Sequence, residues 1–460
     1  MKKQCPVVKN ELYDLDIVSI GSNGEGVGRI DGFAIFVRGA LPGDRIKTRI
    51  IKAKKNFGIG IIVRILKNSK DRVEPICPVA KQCGGCSLQH LSYEAQLAYK
   101  ENLICESLVR LGGLDDEYVR SRSESIIGAE EPYYYRNKVQ FPVREEKGEL
   151  VIGFYAKGSH RVIETKRCYI QDTYNEVIVA TIKEFMIKNR IKAYNEVAHK
   201  GLVRHIVVRK SESFDKFQVT LVINGNKVPG MEVLTKELMD LDKVESVSIN
   251  INKEQDNVIL GSQLTTLEGP KYLVDNIKDI SYHISPLSFY QVNPKQTVKL
   301  YDKALEYADL TGEEIVYDLY CGIGTISLFL AKAAKEVFGV EIVGAAIDDA
   351  KQNAKLNNIT NAHFYTGKAE EMMPKLYKEE GIKADVVVLD PPRKGCEESL
   401  LKAIVEMGPQ KIVYVSCDPG TLSRDIKFLV ANGFKLEKVC GVDMFSHSTH
   451  VESCSLLVKE

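Results

Sequence analysis

The sequence has no run of about 18 uncharged apolar residues and no low-complexity tract long enough to indicate a disordered tail. Its first ten residues, MKKQCPVVKN, lack the apolar core of a secretory signal. Net charge is nearly absent as well, because 63 Lys and Arg against 62 Asp and Glu leave +1, which argues against indiscriminate nucleic-acid binding. These absences predict a cytoplasmic chain that folds throughout its 460 residues. We expect no membrane and no obligate protein partner.

Positive charge is concentrated in the first half of the chain. Residues 1–66 hold 12 Lys and Arg against 6 Asp and Glu, and residues 127–215 hold 16 against 12. Between Asp16 and Ile65, short alternating segments separated by glycine turns predict a small antiparallel barrel. Through GEGVGRIDGFAIFVRGALPGD and the lysine-rich segment after it, this run resembles a TRAM domain, an OB-like RNA-binding module. A structural barrel with a solvated, charged face is the alternative.

Strand and helix patterns divide the chain into three predicted domains. Residues 91–111 have helical periodicity and end at Gly112-Gly113, which suits a C-cap. Residues 133–252 mix strand-like runs with a helix near 174–190, and after Ser285 strands alternate with helices. The alternation is typical of an α/β domain with a doubly wound parallel sheet. We therefore expect an OB-like β-barrel at 1–66, a central α+β domain at 67–275 whose helix 91–111 packs on the last domain, and the α/β domain at 276–460.

Strand ends in the last domain predict a nucleotide-cofactor site. The first strand leads into the turn Gly322-Ile-Gly324, which lets a ligand approach the backbone. Residue 327 is Ser where a dinucleotide fingerprint has Gly, so a pyrophosphate is not the expected ligand. Glu341 ends the second strand, where a carboxylate suits two ribose hydroxyls. Asp390-Pro-Pro ends the fourth strand, and its prolines hold an extended turn that directs Asp390 into the cleft. This set resembles class I methyltransferases, which have a Rossmann-like fold.

Cys417 ends the fifth strand at the same cleft and is the candidate nucleophile. Carbon 5 of uracil is a poor nucleophile until a thiolate adds to carbon 6 and converts the ring to an enolate. After methyl transfer, a base must remove the proton on carbon 5, and the segment His450-Val-Glu452 supplies Glu452, with His450 as the rival base. Four further cysteines are interpreted as buried apolar residues: Cys105, Cys396, Cys440 and Cys454.

The order of these motifs resembles the RNA uracil-5-methyltransferase family. The motifs are FYQVN (289–293), DLYCGIGT (318–325), GVE (339–341), DPPRKG (390–395), SCDP (416–419) and HVE (450–452). The resemblance implies transfer of a methyl group from S-adenosyl-L-methionine to carbon 5 of a uridine in RNA. It implies that the cofactor contacts are Gln291, Tyr320, Glu341 and Asp390. It also implies that Cys417 is the nucleophile and Glu452 the base.

Four other cysteines form a candidate metal site. Cys77, Cys83 and Cys86 lie close together in the sequence, and Cys168 follows much later. Such a set can bind either structural zinc or a 4Fe-4S cluster, and the spacing alone does not decide between them. The resemblance favours the 4Fe-4S cluster, since the 23S rRNA branch of the family combines a TRAM domain with this cysteine pattern and the tRNA branch lacks both. It therefore implies 23S ribosomal RNA as the substrate, with tRNA as the alternative.

Two runs rich in arginine and aromatic residues, YYYRNK (133–138) and GLVRHIVVR (201–209), suit phosphate contacts and base stacking. Packing within strands is the alternative for both. Two other functions are less favoured. Radical chemistry at the cluster needs one open iron site, so the cluster would have only three protein ligands, whereas a fourth cysteine is available here. A non-catalytic RNA-binding protein would transfer no methyl group.

Overall fold

The computed structural model describes residues 5–460 and begins with a closed five-stranded barrel, so the first four residues of the predicted domain 1–66 lie outside the described residues. Its strands are β1 (Leu12–Ile20), β2 (Glu25–Ile30), β3 (Phe33–Arg38), β4 (Arg45–Ala53) and β5 (Phe57–Lys67). Alternate residues such as Ile35, Val37 and Ile46 fill the barrel because successive strand side chains point to opposite faces. The predicted barrel is confirmed, but β3 and β5 pair in parallel where only antiparallel pairs were expected.

Two helices and a short strand follow the barrel. They are α1 (Tyr93–Arg110), α2 (Asp116–Arg122) and β6 (Ser123–Ile127). The helix predicted at 91–111 is confirmed, and it closes with Gly112 N donating to Ser107 O at 3.2 Å. Ile104 and Leu108 of α1 belong to the same buried cluster as Leu422 and Ile426 of the C-terminal half. Helix α1 therefore packs on the C-terminal sheet domain.

A seven-stranded sheet forms the middle of the molecule, in the order β13-β12-β11-β10-β7-β8-β9. Its elements are β7 (Lys138–Glu146), β8 (Glu149–Tyr155), β9 (Val162–Glu164), α3 (Tyr174–Lys188), β10 (Val203–Ser211), β11 (Lys216–Ile223), α4 (Met231–Met239), β12 (Val244–Ile251) and β13 (Gln263–Glu268). Apolar residues of α3 and α4, including Ile182 and Leu234, share one core with the sheet. This is the expected α+β arrangement.

The C-terminal half begins with a hairpin and continues as a wound sheet. Its elements are β14 (Leu273–Ile277), β15 (Ile280–Ile284), α5 (Pro294–Ala308), β16 (Ile315–Leu319), α6 (Thr325–Ala331), β17 (Glu336–Glu341), α7 (Gly344–Leu356), β18 (Ala362–Thr366), α8 (Ala369–Lys378), β19 (Val386–Leu389), α9 (Glu398–Met407), β20 (Lys411–Ser416), α10 (Pro419–Val430), β21 (Phe434–Val442) and β22 (Glu452–Lys459). Strands β16 to β20 are parallel, with a buried apolar cluster on each face. The α/β, Rossmann-like class is confirmed.

The strands beyond β20 in this sheet differ from the expected parallel arrangement. Its order is β18-β17-β16-β19-β20-β22-β21-β6, and β22 runs antiparallel between β20 and β21. The sequence analysis did not identify β21 as a strand. Strand β6 comes from the segment 67–275 and completes the edge beside β21. Among residues 5–460, no helix has the length and apolar character needed to cross a membrane.

Candidate active site

Cys417 lies in the short connection between β20 and α10, at the carboxyl end of its strand. The turn is fixed by Asp418, whose carboxylate accepts hydrogen bonds from Gly420 N at 2.9 Å and Thr421 N at 3.0 Å. Pro419 then occupies the first helical position, where its missing N–H leaves no bond unmade. The Cys417 side chain is partly exposed at the N-terminal end of a 12-residue helix, where the helix dipole favours a thiolate.

Glu452 lies beside Cys417, on the strand next to the one that Cys417 follows. The last recorded pair between β20 and β22 is Ser416 with Ser453, and one further step in this antiparallel register sets Cys417 opposite Glu452. Side chains at facing positions of antiparallel strands point to the same side, with Cβ atoms about 5 Å apart. The antiparallel insertion of β22 thus brings together two residues 35 positions apart in the sequence.

Burial and neighbouring charges raise the pKa of three acidic groups in this cleft. Burial and the nearby Asp390 charge raise the pKa of Glu452 to about 8, while Arg393 opposes the shift. Burial and Asp318 raise the pKa of Asp390 to about 7. Burial and the charges of Glu452 and Asp390 likewise raise the pKa of the Cys417 thiol to about 11. A nucleophile and a base whose charges shift each other's pKa suit a reaction that includes a proton transfer.

The Asp390-Pro-Pro turn is anchored to α10. Gly395 N donates to Pro392 O at 2.8 Å, and Gly395 has φ of 75°. A Cβ at Gly395 would lie 2.7 Å from Asp425 Oδ2, so glycine is required at this close approach. The turn also carries Arg393, an exposed cation whose charge lowers the pKa of both Cys417 and Glu452. The sequence analysis quoted Arg393 within DPPRKG without assigning it a role.

Two of the predicted cofactor residues, Glu341 and Tyr320, lie at the glycine turn after β16. Glu341 Oε1 accepts a hydrogen bond from Val343 N at 2.9 Å, and Oε2 accepts one from Gly322 N at 3.3 Å. Tyr320 adopts a positive φ of 72° while its N donates to Val340 O at 2.9 Å. Its main chain therefore bends away from the strand at the point where the turn begins.

Two buried asparagines that the sequence analysis missed support this pocket. Asn353 Nδ2 donates to Ile323 O at 3.2 Å, and its Oδ1 accepts from His283 N at 2.8 Å. Asn137 of the central domain donates through Nδ2 to Gln291 O at 3.1 Å. The Asn353 bonds fix the glycine turn to α7 and β15, and the Asn137 bond fixes the buried Gln291 segment to the central domain. Each asparagine lies far from its hydrogen-bond partners in the sequence, so no local sequence pattern predicts these contacts.

His450, the rival base, lies outside the strand that carries Glu452. It is exposed, and the edge of its ring packs near Phe445 with ring centroids 6.2 Å apart. Burial of part of the ring and the charges of Arg393 and Lys100 lower its pKa. The imidazole is therefore neutral at physiological pH and retains the ability to accept a proton.

The four predicted metal-binding cysteines converge in the fold. Cys168 experiences the charges of Cys86, Cys83 and Cys77, which together with burial raise the pKa of its thiol. Gly85 N donates to Cys83 Sγ at 3.4 Å, and the backbone of Ile170 hydrogen-bonds to Cys168. Within residues 5–460, no group of three or more His, Cys, Asp or Glu side chains is arranged to hold a single metal ion. The four thiols are therefore neighbours that form no metal-binding group within the described residues.

The remaining predictions about side-chain environments have mixed outcomes. Cys105, Cys396, Cys440 and Cys454 are buried as expected, although only Cys440 and Cys454 lie in strands. The RNA-facing role predicted for arginines of 201–209 is wrong, because Arg204 and Arg209 are buried at 3% and 2% exposure. Arg204 Nη1 donates to Asn252 O at 2.9 Å and Arg209 Nη2 to Ser288 O at 2.7 Å, so both join parts of the fold.

The aromatic run 133–135 is also largely structural. The Tyr133 ring stacks on His447 with centroids 4.2 Å apart. The Tyr135 hydroxyl donates to Ser446 O at 3.2 Å. Tyr134 alone of the three has a largely exposed side chain, at 46%. Strand and loop packing, the alternative interpretation, therefore holds for Tyr133 and Tyr135.

Comparisons with known proteins identify related sequences and a related structure. The family described as tRNA (uracil-5-)-methyltransferase matches residues 92–460, and the TRAM domain family matches residues 7–63. An uncharacterized RNA methyltransferase of Clostridium tetani is 49% identical over 458 residues, covering 99% of this chain and 98% of that protein. One from Halalkalibacterium halodurans is 46% identical over 457 residues, covering 99% of both. Pyrococcus abyssi tRNA (uracil-54, C5)-methyltransferase, solved with S-adenosyl-L-homocysteine, superposes with a TM-score of 0.78 at 26% identity, covering 96% of this chain and 99% of that one.

Proposed function

Because the chain belongs to the S-adenosylmethionine-dependent RNA uracil-5-methyltransferase family, we propose that it methylates carbon 5 of a specific uridine in 23S ribosomal RNA through a covalent bond to Cys417. One observation carries the proposal. A partly exposed thiol at a helix N-terminus faces a buried carboxyl group beside the glycine turn of a Rossmann-like sheet. A chain that acts on ribosomal RNA is expected in the cytoplasm.

The first step is addition of the Cys417 sulfur to carbon 6 of the uracil ring. The new S–C6 bond moves the electron pair of the C5–C6 double bond onto carbon 5 and the carbonyl oxygen of carbon 4, so carbon 5 becomes nucleophilic. Arg393 favours the thiolate, since its positive charge lowers the pKa of Cys417. Cys417 thereby activates the ring, and S-adenosyl-L-methionine, when bound, supplies the electrophilic methyl group on a sulfonium.

The second stage requires a base at carbon 5. After methyl transfer, carbon 5 carries both a methyl group and a hydrogen. Removal of this proton by Glu452 returns the electron pair to the C5–C6 bond and expels the Cys417 thiolate. The position of Glu452 opposite Cys417 supports this role, because the two groups must act on adjacent ring carbons. Its raised pKa of about 8 makes the carboxylate a stronger base than an exposed glutamate.

We assign the methyl donor to the pocket around the glycine turn. Glu341 suits hydrogen bonds from the ribose hydroxyls, because its carboxylate is already oriented by the backbone of Gly322 and Val343. Tyr320, Gln291 and Asp390 are assigned to the rest of the molecule. The solved relative with bound S-adenosyl-L-homocysteine supports this class of ligand.

We assign a 4Fe-4S cluster to Cys77, Cys83, Cys86 and Cys168. One observation supports the fit: backbone N–H groups are directed at the sulfurs of Cys83 and Cys168. Hydrogen bonds to sulfur stabilise the negative charge of such clusters. None of the four belongs to the catalytic cleft motifs, so the cluster is assigned a structural role in the central domain.

This assignment divides the work among three parts of the chain. RNA is bound by residues 1–66. The cluster is held by residues 67–275, which also shape the RNA-binding face. The methyl donor is bound by residues 276–460, which carry out the reaction. The TRAM match at 7–63 supports the first part. Helix α1 and β6 from the second part pack into the third, so these two parts act as a connected unit.

A tRNA substrate is the second candidate, and a specific observation favours it. The Pyrococcus abyssi protein is named as a tRNA methyltransferase and matches 96% of this chain. The unmatched remainder is about 18 of 460 residues, fewer than the barrel contains, so the barrel does not by itself separate the rRNA branch from tRNA enzymes.

Purified protein and labelled S-adenosyl-L-methionine test the proposal directly. We expect label at carbon 5 of uridine in unmodified 23S rRNA, none in tRNA, and none with the Cys417→Ala variant. Mapping of 5-methyluridine in both RNA classes from a deletion strain identifies the natural substrate. Loss of 5-methyluridine from tRNA alone would replace the rRNA assignment with the tRNA one. Full activity of Cys417→Ala would refute the covalent mechanism.

A further inference from the structure

The loop from residue 443 to residue 451 connects β21 to β22 and leads directly to Glu452. Within this loop, His447 is 3% exposed and has a φ of 65°. A positive φ of this size is unfavourable for a residue with a Cβ, and glycine adopts it more readily. Such a conformation persists only where surrounding contacts hold it, and it is concentrated at functional sites. The contacts that hold His447 therefore indicate what this residue does.

The main chain of His447 is held by two segments from the first half of the chain. Its carbonyl oxygen accepts hydrogen bonds from Ser87 N and Leu88 N, both at 2.9 Å. Its N donates to Oε1 of Gln96, a fully buried residue of α1, at 2.9 Å. Both segments precede the wound sheet in the chain. The three bonds therefore fix this residue from outside the sheet that carries the catalytic cleft.

The imidazole ring is held by the same glutamine. Gln96 Nε2 lies 3.2 Å from His447 Nδ1 and also donates to Leu91 O at 2.8 Å. This contact needs a neutral ring with a lone pair on Nδ1. Burial lowers the pKa of His447 to about 4, so the ring is neutral at physiological pH. The ring also stacks on Tyr133, with the two planes 24° apart. Both the ring and the main chain of His447 thus have fixed positions.

The position of Glu452 depends on this loop because the residue lies at the end of its strand. Glu452 is the first residue of β22 and pairs with Val442 of β21. It lies one step beyond the last recorded pair between β22 and β20, which is Ser453 with Ser416. The direction of its side chain is therefore set in part by the loop that precedes it.

Hydrogen bonds within the loop connect His447 to Glu452. Ser448 Oγ donates to Phe445 O at 2.8 Å and accepts a hydrogen bond from His450 N at 3.2 Å. These bonds reduce the freedom of the short segment that separates the two residues. A displacement of His447 is therefore passed on to the start of β22.

We propose that His447 is a positioning residue for proton removal: it holds the loop so that the Glu452 carboxyl group is directed at carbon 5 of the uridine. The inference rests on the proposed function, since it takes Glu452 to be the base. Cys417 does not depend on this loop, because its turn is fixed by Asp418 at the start of α10. Loss of the His447 contacts should therefore slow removal of the carbon-5 proton more than addition of the thiolate. The methylated covalent adduct is the species that then accumulates.

The test compares His447→Asn with His199→Asn. Asparagine tolerates a positive φ, so His447→Asn keeps the turn but removes the stacked ring and its contact with Gln96. His199 is exposed, lies in the central domain and has a φ of 52°, so the same substitution there is the matched control. For His447→Asn we expect kcat to fall about 10- to 100-fold, as for a small displacement of a catalytic group. Kd for RNA and for S-adenosyl-L-methionine should keep the wild-type value.

Denaturing gels show whether the slow step is proton removal. A covalent adduct of protein and methylated RNA should accumulate in His447→Asn and not in His199→Asn. Gln96→Met is a second variant that leaves His447 in place and removes the amide contacts, and it should change kcat and the adduct in the same direction. It keeps the test decisive if His447→Asn fails to fold.

The outcomes separate this inference from the proposed function. Wild-type kcat in a variant that unfolds at the wild-type temperature would overturn the positioning role. A fall in kcat without an adduct would also overturn it, provided that Glu452→Gln forms the adduct in the same assay. Absence of an adduct in Glu452→Gln itself would instead refute the proposed function, and the role of His447 with it.

Discussion

Lys100 and Asp443 form an ion pair in which both side chains are fully buried, and it joins helix α1 to the loop that precedes Glu452. The same carboxylate accepts hydrogen bonds from the Tyr93 and Ser446 hydroxyls, each at 2.7 Å. Lys100 Nζ also donates to Phe445 O at 3.0 Å. The loop between β21 and β22 is therefore held by charge and hydrogen bonds from a helix that lies more than 300 residues earlier in the chain.

Breaking this pair should be costly. Lys100→Met leaves a buried, unpaired carboxylate, so we expect the free energy of unfolding to fall by about 3–5 kcal/mol and methylation to slow because Glu452 loses its support. The double variant Lys100→Gln with Asp443→Asn keeps neutral hydrogen bonds and should recover much of both losses. Urea unfolding and single-turnover methylation measure them. Wild-type stability in Lys100→Met would show that the pair does not hold the loop.

The raised pKa of Glu452 predicts a pH-dependent stability difference. Between the ordinary glutamate pKa of 4.5 and about 8, the folded chain keeps a proton that the unfolded chain releases. Stability therefore falls as pH rises through this window, by about 1.4 kcal/mol per pH unit for this one group. Glu452→Gln has no such proton, so its stability relative to wild type should grow from pH 5 to pH 8. Parallel pH profiles of the two unfolding midpoints would contradict the burial of a titrating carboxyl.

Glu341 offers a test of the methyl-donor pocket. Glu341→Gln keeps the shape of the side chain but removes the charge, so we expect S-adenosyl-L-methionine affinity to fall about 10- to 100-fold, as for the loss of a charged hydrogen bond. Isothermal titration calorimetry measures this change. Asp348→Asn, an exposed residue on α7, is the matched control and should bind normally. Equal affinities for the two variants would remove Glu341 from the pocket.

The cysteine site is tested by metal content. Protein purified without oxygen should be brown and carry iron and sulfide, and Cys168→Ser should lose both and bind RNA more weakly. Cys5→Ser is the control, because Cys5 is exposed and is not one of the four ligands. Stoichiometric zinc without iron in the wild-type protein would refute the 4Fe-4S assignment.

Local sequence patterns predicted helices and strands. How these elements contact one another depends on residues that lie far apart in the sequence. The strand ends at Glu341, Asp390 and Cys417 were predictable because a parallel sheet gathers its carboxyl ends at one edge. The facing of Cys417 and Glu452 was not, since it depends on β22 entering the sheet antiparallel between β20 and β21.

Arginine roles were the least predictable from sequence. The local sequence around an arginine in a strand is the same whether its side chain is exposed to solvent or buried. Arg209 is fully enclosed, and Arg204 is bonded to the 252–254 turn, contacts that depend on segments distant in the sequence. Arg393, by contrast, stands in a recognisable motif, and its role follows only once Cys417 and Glu452 are seen beside it.

Denaturing gel electrophoresis with labelled RNA distinguishes the roles of Cys417 and Glu452. In Glu452→Gln, addition and methyl transfer should proceed while proton removal stalls, so a protein band shifted by covalently bound, methylated RNA should accumulate. The band should vanish in the double variant Cys417→Ala with Glu452→Gln, because no thiolate remains to hold the ring. A band that persists in the double variant would identify another nucleophile. Normal turnover of Glu452→Gln without an adduct would contradict the account and assign the base to His450 or a water.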